Sequence, residues 1–159
     1  MIGAGKRVNM TLCFSQEQGA AVYRATKGAK KGRVFISPFV GRLDDIGENG
    51  LDLIANTLKM YLTGDKHVQV LSASVRSMEH FLESLELGAD IITAPLSILK
   101  EWKALGMPLA RKEKTPRNLK PIAYKKIPLS KPWTKYNIKH PLTDKGLARF
   151  SEDWNKLIK

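Results

Sequence analysis

The chain has 159 residues, of which 43% are hydrophobic, 27 are Lys or Arg and 15 are Asp or Glu; this excludes a disordered protein and predicts a single globular fold with a sizeable core. Its one cysteine, Cys13, excludes a disulfide-rich scaffold and indicates a reducing, cytoplasmic compartment. The sequence has no zinc-type Cys/His spacing, no apolar run of about 20 residues and no signal-peptide pattern, so we expect no metal, no cofactor and no membrane contact.

The net charge of +12 is concentrated in the C-terminal part of the chain. Residues 100–159 hold 16 Lys or Arg against five acidic residues, whereas residues 1–99 hold 11 against ten. A basic surface can bind nucleic acid, but Trp133 and Tyr136 do not form the ladder of stacking aromatics that single strands use. We therefore do not expect nucleic acid as a partner, and the nucleic-acid alternative rests on charge alone.

Short β-branched segments alternate with segments of helical period between residues 8 and 105, a pattern typical of parallel β/α units. The predicted strands are Val8–Phe14, Arg33–Val40, Val68–Val75 and Asp90–Ala94. The predicted helices are Gln16–Lys31, Asn49–Leu62, Met78–Leu87 and Leu96–Leu105. Ser15 with Gln18 forms a candidate capping box, and Ser77 is a candidate N-cap. The sequence therefore predicts an α/β fold with four parallel strands.

The remaining residues divide into two further segments. Residues 106–139 hold five of the eight prolines and no sustained period, so we predict an extended basic segment that wraps a surface. A terminal helix follows, capped by Thr143 or Asp144, with one apolar face formed by Leu147, Phe150 and Trp154. The predicted organisation is thus four β/α units (1–105), an extended segment (106–139) and a C-terminal helix (140–159) that packs on the β/α units.

The first predicted strand alternates polar and apolar residues. One face carries Asn9, Thr11 and Cys13, and apolar side chains occupy the other. If the polar face meets solvent, Asn9 and Thr11 are ordinary surface residues; if it lines a barrel, they need partners or a role. The residue pattern leaves both interpretations open.

Two arginines follow neighbouring predicted strands. Arg42 comes in the loop after the second strand, and Ser74 and Arg76 end the third. Because the carboxyl ends of parallel strands meet at one rim, we expect these side chains to lie close together. Guanidinium groups and hydroxyls match phosphate oxygens, so the pattern predicts a sugar-phosphate site. The alternative is a surface ion pair with Asp44 or Asp45.

Other candidate features receive structural interpretations. Gly41 permits a tight turn beside the first of these arginines. The glycines and lysine of residues 3–6 lack the Ser/Thr and the spacing of a phosphate loop. His67 and His80 have no neighbours at ligand spacing, so we interpret them as surface or helix-packing residues.

Five strings of this sequence resemble the transaldolase family, which includes the fructose-6-phosphate aldolases. They are residues 9–18 (NMTLCFSQEQ), 37–45 (SPFVGRLDD), 70–77 (VLSASVRS), 88–95 (GADIITAP) and 140–150 (HPLTDKGLARF). They follow the family's order and cover nearly the whole chain. The resemblance implies a TIM (β/α)8 barrel and a class I aldolase of the pentose phosphate pathway, which moves a dihydroxyacetone unit between sugar phosphates through a Schiff base on lysine.

The resemblance also implies roles for individual residues. Asn9 and Thr11 would lie beside the Schiff base, with Thr11 helping to hold the water that transfers protons. Ser37 would hydrogen-bond the dihydroxyacetone hydroxyls, and Phe39 would form a wall where some aldolase relatives have tyrosine, which favours transaldolase. The substrate phosphate would be held by Arg42, Ser74 and Arg76.

One part of the family pattern is missing from this sequence. The five strings belong to the last four strands and the end of the family barrel, whereas its Schiff-base lysine lies on the fourth strand. No lysine lies within the four predicted strands, and Lys6 precedes the first strand at the wrong end. We therefore expect the C-terminal half of a barrel, inactive alone, that self-associates or binds a complementary N-terminal half. A truncated gene product and a non-catalytic sugar-phosphate-binding or assembly module are the alternatives.

Overall fold

The computed structural model describes residues 5–111 and 117–158, and a parallel sheet organises them. The strands are β1 (Val8–Cys13), β2 (Val34–Pro38), β3 (Val68–Ser72) and β4 (Ile91–Ile92), in the order β1-β2-β3-β4. Each pairs in parallel with the next along the chain, as right-handed β/α crossovers produce. The predicted α/β fold with four parallel strands is confirmed.

Helices connect the strands and close the described chain. They are α1 (Gln16–Ala25), α2 (Val40–Asp44), α3 (Gly50–Tyr61), α4 (Met78–Glu86), α5 (Leu96–Ala104) and α6 (Pro141–Leu157), with a 3-10 turn at Trp133–Lys135. The short helix α2 was not predicted. Helix α1 ends six residues before the predicted Lys31, because Gly28 adopts a left-handed φ of 89° that a helix cannot contain.

Two N-caps are confirmed and a third is wrong. Ser15 accepts a hydrogen bond from the Gln18 N–H, and Ser77 accepts one from the His80 N–H. Helix α6, however, is capped by His140 rather than by Thr143 or Asp144. Pro141 fits the first helical position because it has no N–H to satisfy, so the helix begins one turn earlier than predicted. Burial lowers the pKa of His140, favouring the neutral ring whose Nδ1 accepts from the Leu142 N–H at 3.2 Å.

A bulge in β1 breaks the predicted alternation of this strand. The pairing register with β2 shifts between Met10 and Cys13, and Leu12 adopts a left-handed φ of 56°. As a result Cys13 joins the core beneath the sheet instead of sharing a face with Asn9. A second left-handed residue, Ser74 at φ 58°, ends β3 before the predicted Val75.

The main core lies between one face of the sheet and helices α1 and α3. Its fully buried members include Val34, Ile36 and Val70 from the strands and Ala20 and Ile54 from the helices. The opposite face carries Phe35, Leu71 and Ile91, which are half-buried and belong to none of the described core clusters. The sheet is therefore fully covered by helices on one face only, within the residues that the structure describes.

The extended segment lies across helices α1 and α3 around residues 122–125, and the structure does not describe its residues 112–116. Its backbone is bound by helix side chains. Asn56 donates to the Ile122 carbonyl at 2.7 Å, and Asp52 accepts from the Ile122 N–H at 2.9 Å. The Gln16 amide binds both the N–H and the carbonyl of Lys125, at 2.8 and 3.1 Å. These hydrogen bonds fix the backbone of the segment near residues 122 and 125 to the two helices.

Helix α6 contacts the rest of the chain through its first turns. The backbone at Gly146 lies so close to Leu12 that an added Cβ would sit 2.6 Å from that side chain. The predicted apolar face is present but exposed, with Leu147, Phe150 and Trp154 at 56%, 44% and 62%. None of the helices within residues 5–111 and 117–158 has both the length and the apolar character needed to cross a membrane.

Candidate active-site rim

Asn9 and Ser37 meet on the sheet face opposite the main core. The Ser37 hydroxyl donates to the Asn9 side-chain oxygen at 2.7 Å. Ser37 is buried, whereas Asn9 on the edge strand is exposed. The structure thus brings together two of the four residues to which the resemblance assigns roles beside the Schiff base. An amide and a hydroxyl so placed can bind the hydroxyl groups of a sugar.

Thr11 and Phe39, the other two residues to which the resemblance assigns roles beside the Schiff base, do not contact Asn9 or Ser37 through side-chain hydrogen bonds. Thr11 is exposed, and its hydroxyl has no hydrogen-bond partner among the described residues. Phe39 follows β2, and its N–H donates to the Cys13 carbonyl at 3.2 Å. The Phe39 ring contacts Phe14 edge-to-face, with centroids 5.9 Å apart, and forms an apolar wall next to the ends of β1 and β2.

Helix α2 and the loop after β3 bring the predicted phosphate residues together. The Gly41 N–H donates to the Ser74 carbonyl at 3.1 Å, which joins the element carrying Arg42 to the loop carrying Ser74 and Arg76. Arg42 lies on the short helix α2, so its predicted location in a loop is wrong. The interpretation of Gly41 as a turn residue is also wrong. An added Cβ there would lie 2.5 Å from the Ser74 carbonyl oxygen and 2.7 Å from Arg76 Nε, so glycine is required by close approach.

The two arginines differ in their partners. Arg76 pairs with Asp45 at 2.5 Å, and both side chains are about half exposed, at 47% and 55%. Arg42 is half-buried and has no ion-pair or hydrogen-bond partner within the described part of the chain. Exposed ion pairs are worth about 0–1 kcal/mol, so a phosphate dianion can displace Asp45 from Arg76 at small cost. The rim therefore offers one unpaired guanidinium and a second that is easily released.

His80 lies beneath this rim and is buried on α4, so of its two interpretations helix packing holds and surface exposure does not. Its Nε2 lies 2.8 Å from the Asp44 carboxylate, and its Nδ1 accepts from the Arg76 N–H at 3.3 Å. Asp44 also accepts from the Gly50 N–H at 2.9 Å and from Arg117 at 2.7 Å. Burial alone would raise the pKa of Asp44, but these hydrogen bonds and charges outweigh it and hold the pKa below its usual value.

His67 is the second buried histidine, and it lies at the amino end of β3, away from the rim. Its Nδ1 forms a short hydrogen bond with Asp65, and its Nε2 lies 2.9 Å from the Thr26 hydroxyl. The Tyr23 hydroxyl donates to the same Asp65 carboxylate at 2.6 Å. His67 is therefore a helix-packing residue, the second of its two interpretations, and its cluster ties helix α1 to the chain before β3.

Replacing Asp65 by asparagine is expected to remove a pH-dependent part of the stability. Hydrogen bonds from Tyr23 and His67 lower the pKa of Asp65 from 3.8 to about 2. A lowered folded-state pKa contributes stability above the unfolded value, which is lost as the pH falls through the folded value. Urea midpoints of the wild type and D65N should therefore converge between pH values of about 4 and about 2. Tyr23→Phe removes one of the two hydrogen bonds, so its urea midpoint should differ from that of the wild type by less than the midpoint of D65N does. If the difference in midpoint between the wild type and D65N does not change with pH, the lowered pKa of Asp65 is contradicted.

Nucleophilic catalysis by cysteine and catalysis by a bound metal ion find little support in the described residues. The Cys13 thiol is 5% exposed, and burial raises its pKa to about 12, so it is a poor nucleophile near neutral pH. Within residues 5–111 and 117–158, no three His, Cys, Asp or Glu side chains are grouped so that they could hold a metal ion. Strands β1 to β4 contain no lysine.

Comparison with known proteins identifies the family of the chain. The sequence model of the family described as transaldolase/fructose-6-phosphate aldolase matches residues 1–159. The chain belongs to the transaldolase/fructose-6-phosphate aldolase family. A probable transaldolase of Brucella anthropi is 40% identical over 152 residues, covering 96% of this chain and 51% of that protein. Probable transaldolases of Bacteroides thetaiotaomicron and Paracoccus denitrificans are 38% and 37% identical, with the same coverage.

The family membership agrees with the resemblance seen in the five sequence strings. The chain spans about half the length of the curated relatives that it matches.

Proposed function

We propose that this chain supplies the sugar-phosphate-binding part of a transaldolase-type class I aldolase. The observation that carries the proposal is the convergence of Arg42, Ser74 and Arg76 at one rim, held by the Gly41 contact. Arginine forks match the oxygens of a phosphate dianion, and a serine hydroxyl adds a neutral donor. On the adjacent face, Asn9 and Ser37 suit the hydroxyls of a dihydroxyacetone unit.

The chemistry of the proposed reaction needs a lysine that strands β1 to β4 do not contain. A lysine amine condenses with the substrate ketone, releasing water, and the resulting imine accepts the electron pair when the neighbouring carbon–carbon bond breaks. An uncharged lysine is favoured by a desolvated interior, which lowers its pKa. We therefore propose that the nucleophile comes from a complementary N-terminal half, and that Thr11 helps to hold the water that carries protons.

The surface of the chain supports such a complement. The sheet has two edges, β1 and β4, and a face with half-buried Phe35, Leu71 and Ile91 that no described core cluster covers. Beside β1 lies a groove of about 310 Å³, lined by residues that include Met10, Val22, Ala25, Trp133 and Ile138. Open strand edges and apolar faces favour pairing with further β/α units. The relatives' additional length is of the right order to supply them.

Borohydride trapping tests the proposal. The chain is incubated with fructose 6-phosphate and borohydride, alone and with the part of the Brucella anthropi relative that it does not cover, and each chain is analysed by mass spectrometry. We expect no lysine adduct on this chain alone, and an adduct on the added part when both are present. Fructose without its phosphate is the matched control and should give little adduct.

An adduct on this chain alone would contradict the proposal, because it would require a nucleophile outside the four strands. One observation favours a second candidate, a non-catalytic sugar-phosphate-binding or assembly module: the rim residues are present while β1 to β4 contain no lysine. Phosphate-dependent binding of fructose 6-phosphate with no adduct in either experiment would support this alternative.

A further inference from the structure

We propose that His80 is a positioning residue for the phosphate site, which sets the backbone of Arg76 through one ring nitrogen and is itself fixed by Asp44 through the other. The inference rests on the proposed function, because it assigns a role to a residue that does not touch the substrate. No sequence motif pointed to His80, since its carboxylate partner lies 36 positions away in the chain.

The contacts of the His80 imidazole show which of its two ring nitrogens carries the hydrogen. Nδ1 receives the Arg76 N–H at 3.3 Å, so it must be the unprotonated nitrogen. Nε2 lies 2.8 Å from the Asp44 carboxylate, which can only accept, so Nε2 carries the hydrogen. Both nitrogens of a neutral ring are therefore satisfied, and the carboxylate selects the tautomer that can hold Arg76.

Without the His80 side chain, the Arg76 N–H would have no hydrogen-bond acceptor in helix α4. Arg76 precedes the N-cap Ser77 of α4, and His80 is the third residue of that helix. The same arrangement, in which the third residue of a helix accepts from the N–H of the residue before the N-cap, also occurs in α1. At the start of α1, Gln18 is the third residue after the N-cap Ser15, and its side-chain oxygen accepts from the N–H before the cap at 2.7 Å. The glutamine shows that an amide can replace the imidazole as acceptor.

Asp44 links His80 to the other half of the phosphate site. It lies two residues after Arg42 on α2 and also receives the Gly50 N–H, which fixes it against the start of α3. Arg117 binds the same carboxylate oxygen that His80 contacts, so the charge is compensated in a half-buried position. The carboxylate–imidazole pair is thereby a second link between the two arginine-bearing elements, in addition to the Gly41–Ser74 hydrogen bond.

The consequence is that the separation of Arg42 and Arg76 depends on His80. A phosphate dianion gains most from two guanidiniums when both are already placed, because ordering them on binding costs entropy. Without the His80 ring, the Arg76 N–H loses its acceptor and the start of α4 loses its contact with Asp44 on α2. The Gly41–Ser74 hydrogen bond remains, but the Arg76 side chain keeps only its exposed pair with Asp45. Sugar-phosphate affinity should fall although no substrate contact has been removed.

Three variants of the full chain test this role by titration with fructose 6-phosphate and with inorganic phosphate. His80→Leu removes both hydrogen bonds and should weaken binding of both probes at least tenfold. His80→Gln, which has an acceptor and a donor as Gln18 does, should restore affinity to within about threefold of wild type. The matched control is His67→Leu, which removes an equally buried histidine from its carboxylate at the far end of the sheet.

The control separates positioning from general destabilisation. His67→Leu should lower the urea midpoint but leave phosphate affinity within about twofold of wild type. Equal losses of affinity in H80L and H67L, or wild-type affinity in H80L, would overturn the inference. A wild-type chain that binds neither probe would contradict the proposed function itself.

A spectroscopic measurement on the wild type covers the case in which H80L does not fold. Nitrogen-15 chemical shifts of the histidine ring distinguish the two neutral tautomers. We expect an unprotonated Nδ1 and a protonated Nε2 for His80, with a through-bond coupling between Nδ1 and the Arg76 N–H. A proton on Nδ1 of the neutral ring would overturn the inference.

Discussion

Replacing both Arg42 and Arg76 by alanine is expected to lower the affinity for fructose 6-phosphate at least a hundredfold. Each arginine can donate charge-assisted hydrogen bonds to the phosphate, and such bonds contribute about 1.5–3 kcal/mol each. Two of them correspond to about two to four orders of magnitude in the dissociation constant, at about 1.4 kcal/mol per tenfold. Isothermal titration calorimetry with fructose 6-phosphate and with fructose measures the effect and its dependence on phosphate.

The stability of this double variant should change little. Arg42 has no partner among the described residues, and the pair between Arg76 and Asp45 is exposed. The matched control replaces two surface arginines, Arg33 and Arg149, and lowers the net charge by the same amount. If the control loses as much affinity as the double variant, binding is a general charge effect and the rim is not the site.

Gly41→Ala is expected to damage both the fold of the rim and phosphate binding. The new Cβ would lie 2.5 Å from the Ser74 carbonyl oxygen, and a backbone atom cannot rotate away. Helix α2 and the loop after β3 must separate, at a cost of about 1–3 kcal/mol or more. That separation moves Arg42 away from Arg76, so we expect sugar-phosphate affinity to fall more than tenfold. Urea unfolding and calorimetry measure the two effects.

Gly19→Ala is the control for this substitution. Its Cβ would meet the flexible end of Met60 at 3.2 Å, inside a helix where alanine is intrinsically favoured. We expect its unfolding free energy to change by less than about 1 kcal/mol and its phosphate affinity to stay at the wild-type value. A Gly41→Ala variant as stable as Gly19→Ala would contradict the close contact that joins α2 to the loop.

The parallel strands could be predicted because β-branched residues at alternating positions bury one face of a sheet, as Val34 and Ile36 do here. The grouping of the arginines followed from the rule that parallel strands end at one rim. The bulge in β1 could not be predicted, since Leu12 is a residue type that rarely adopts a positive φ. The pairing of Asp44 with His80 was also out of reach, because it joins residues brought together only by the tertiary fold.

Some errors arose where local signals compete. The predicted first helix continued to Lys31 because its composition is helical, but Thr26 and Gly28 end it. Thr26 donates to the Val22 carbonyl and also contacts His67, so a polar cluster replaces the last turns. The amino-acid composition favours a longer helix, but tertiary contacts end α1 at Ala25. The sequence left surface exposure and helix packing both open for His67 for the same reason, because burial depends on what the neighbouring elements supply.

The way the extended segment is held has a consequence for which of its residues can be exchanged. Its main-chain groups, at Ile122 and Lys125, are bound by Gln16, Asp52 and Asn56, whereas the Lys125 side chain is exposed. A backbone group is the same in almost every amino acid, so substitutions in the segment should preserve these hydrogen bonds. Substitutions of the helix side chains that bind the segment should break them. Neutralising exposed lysines of the segment should leave the fold intact, while changing one of the three helix side chains should weaken its attachment to the helices.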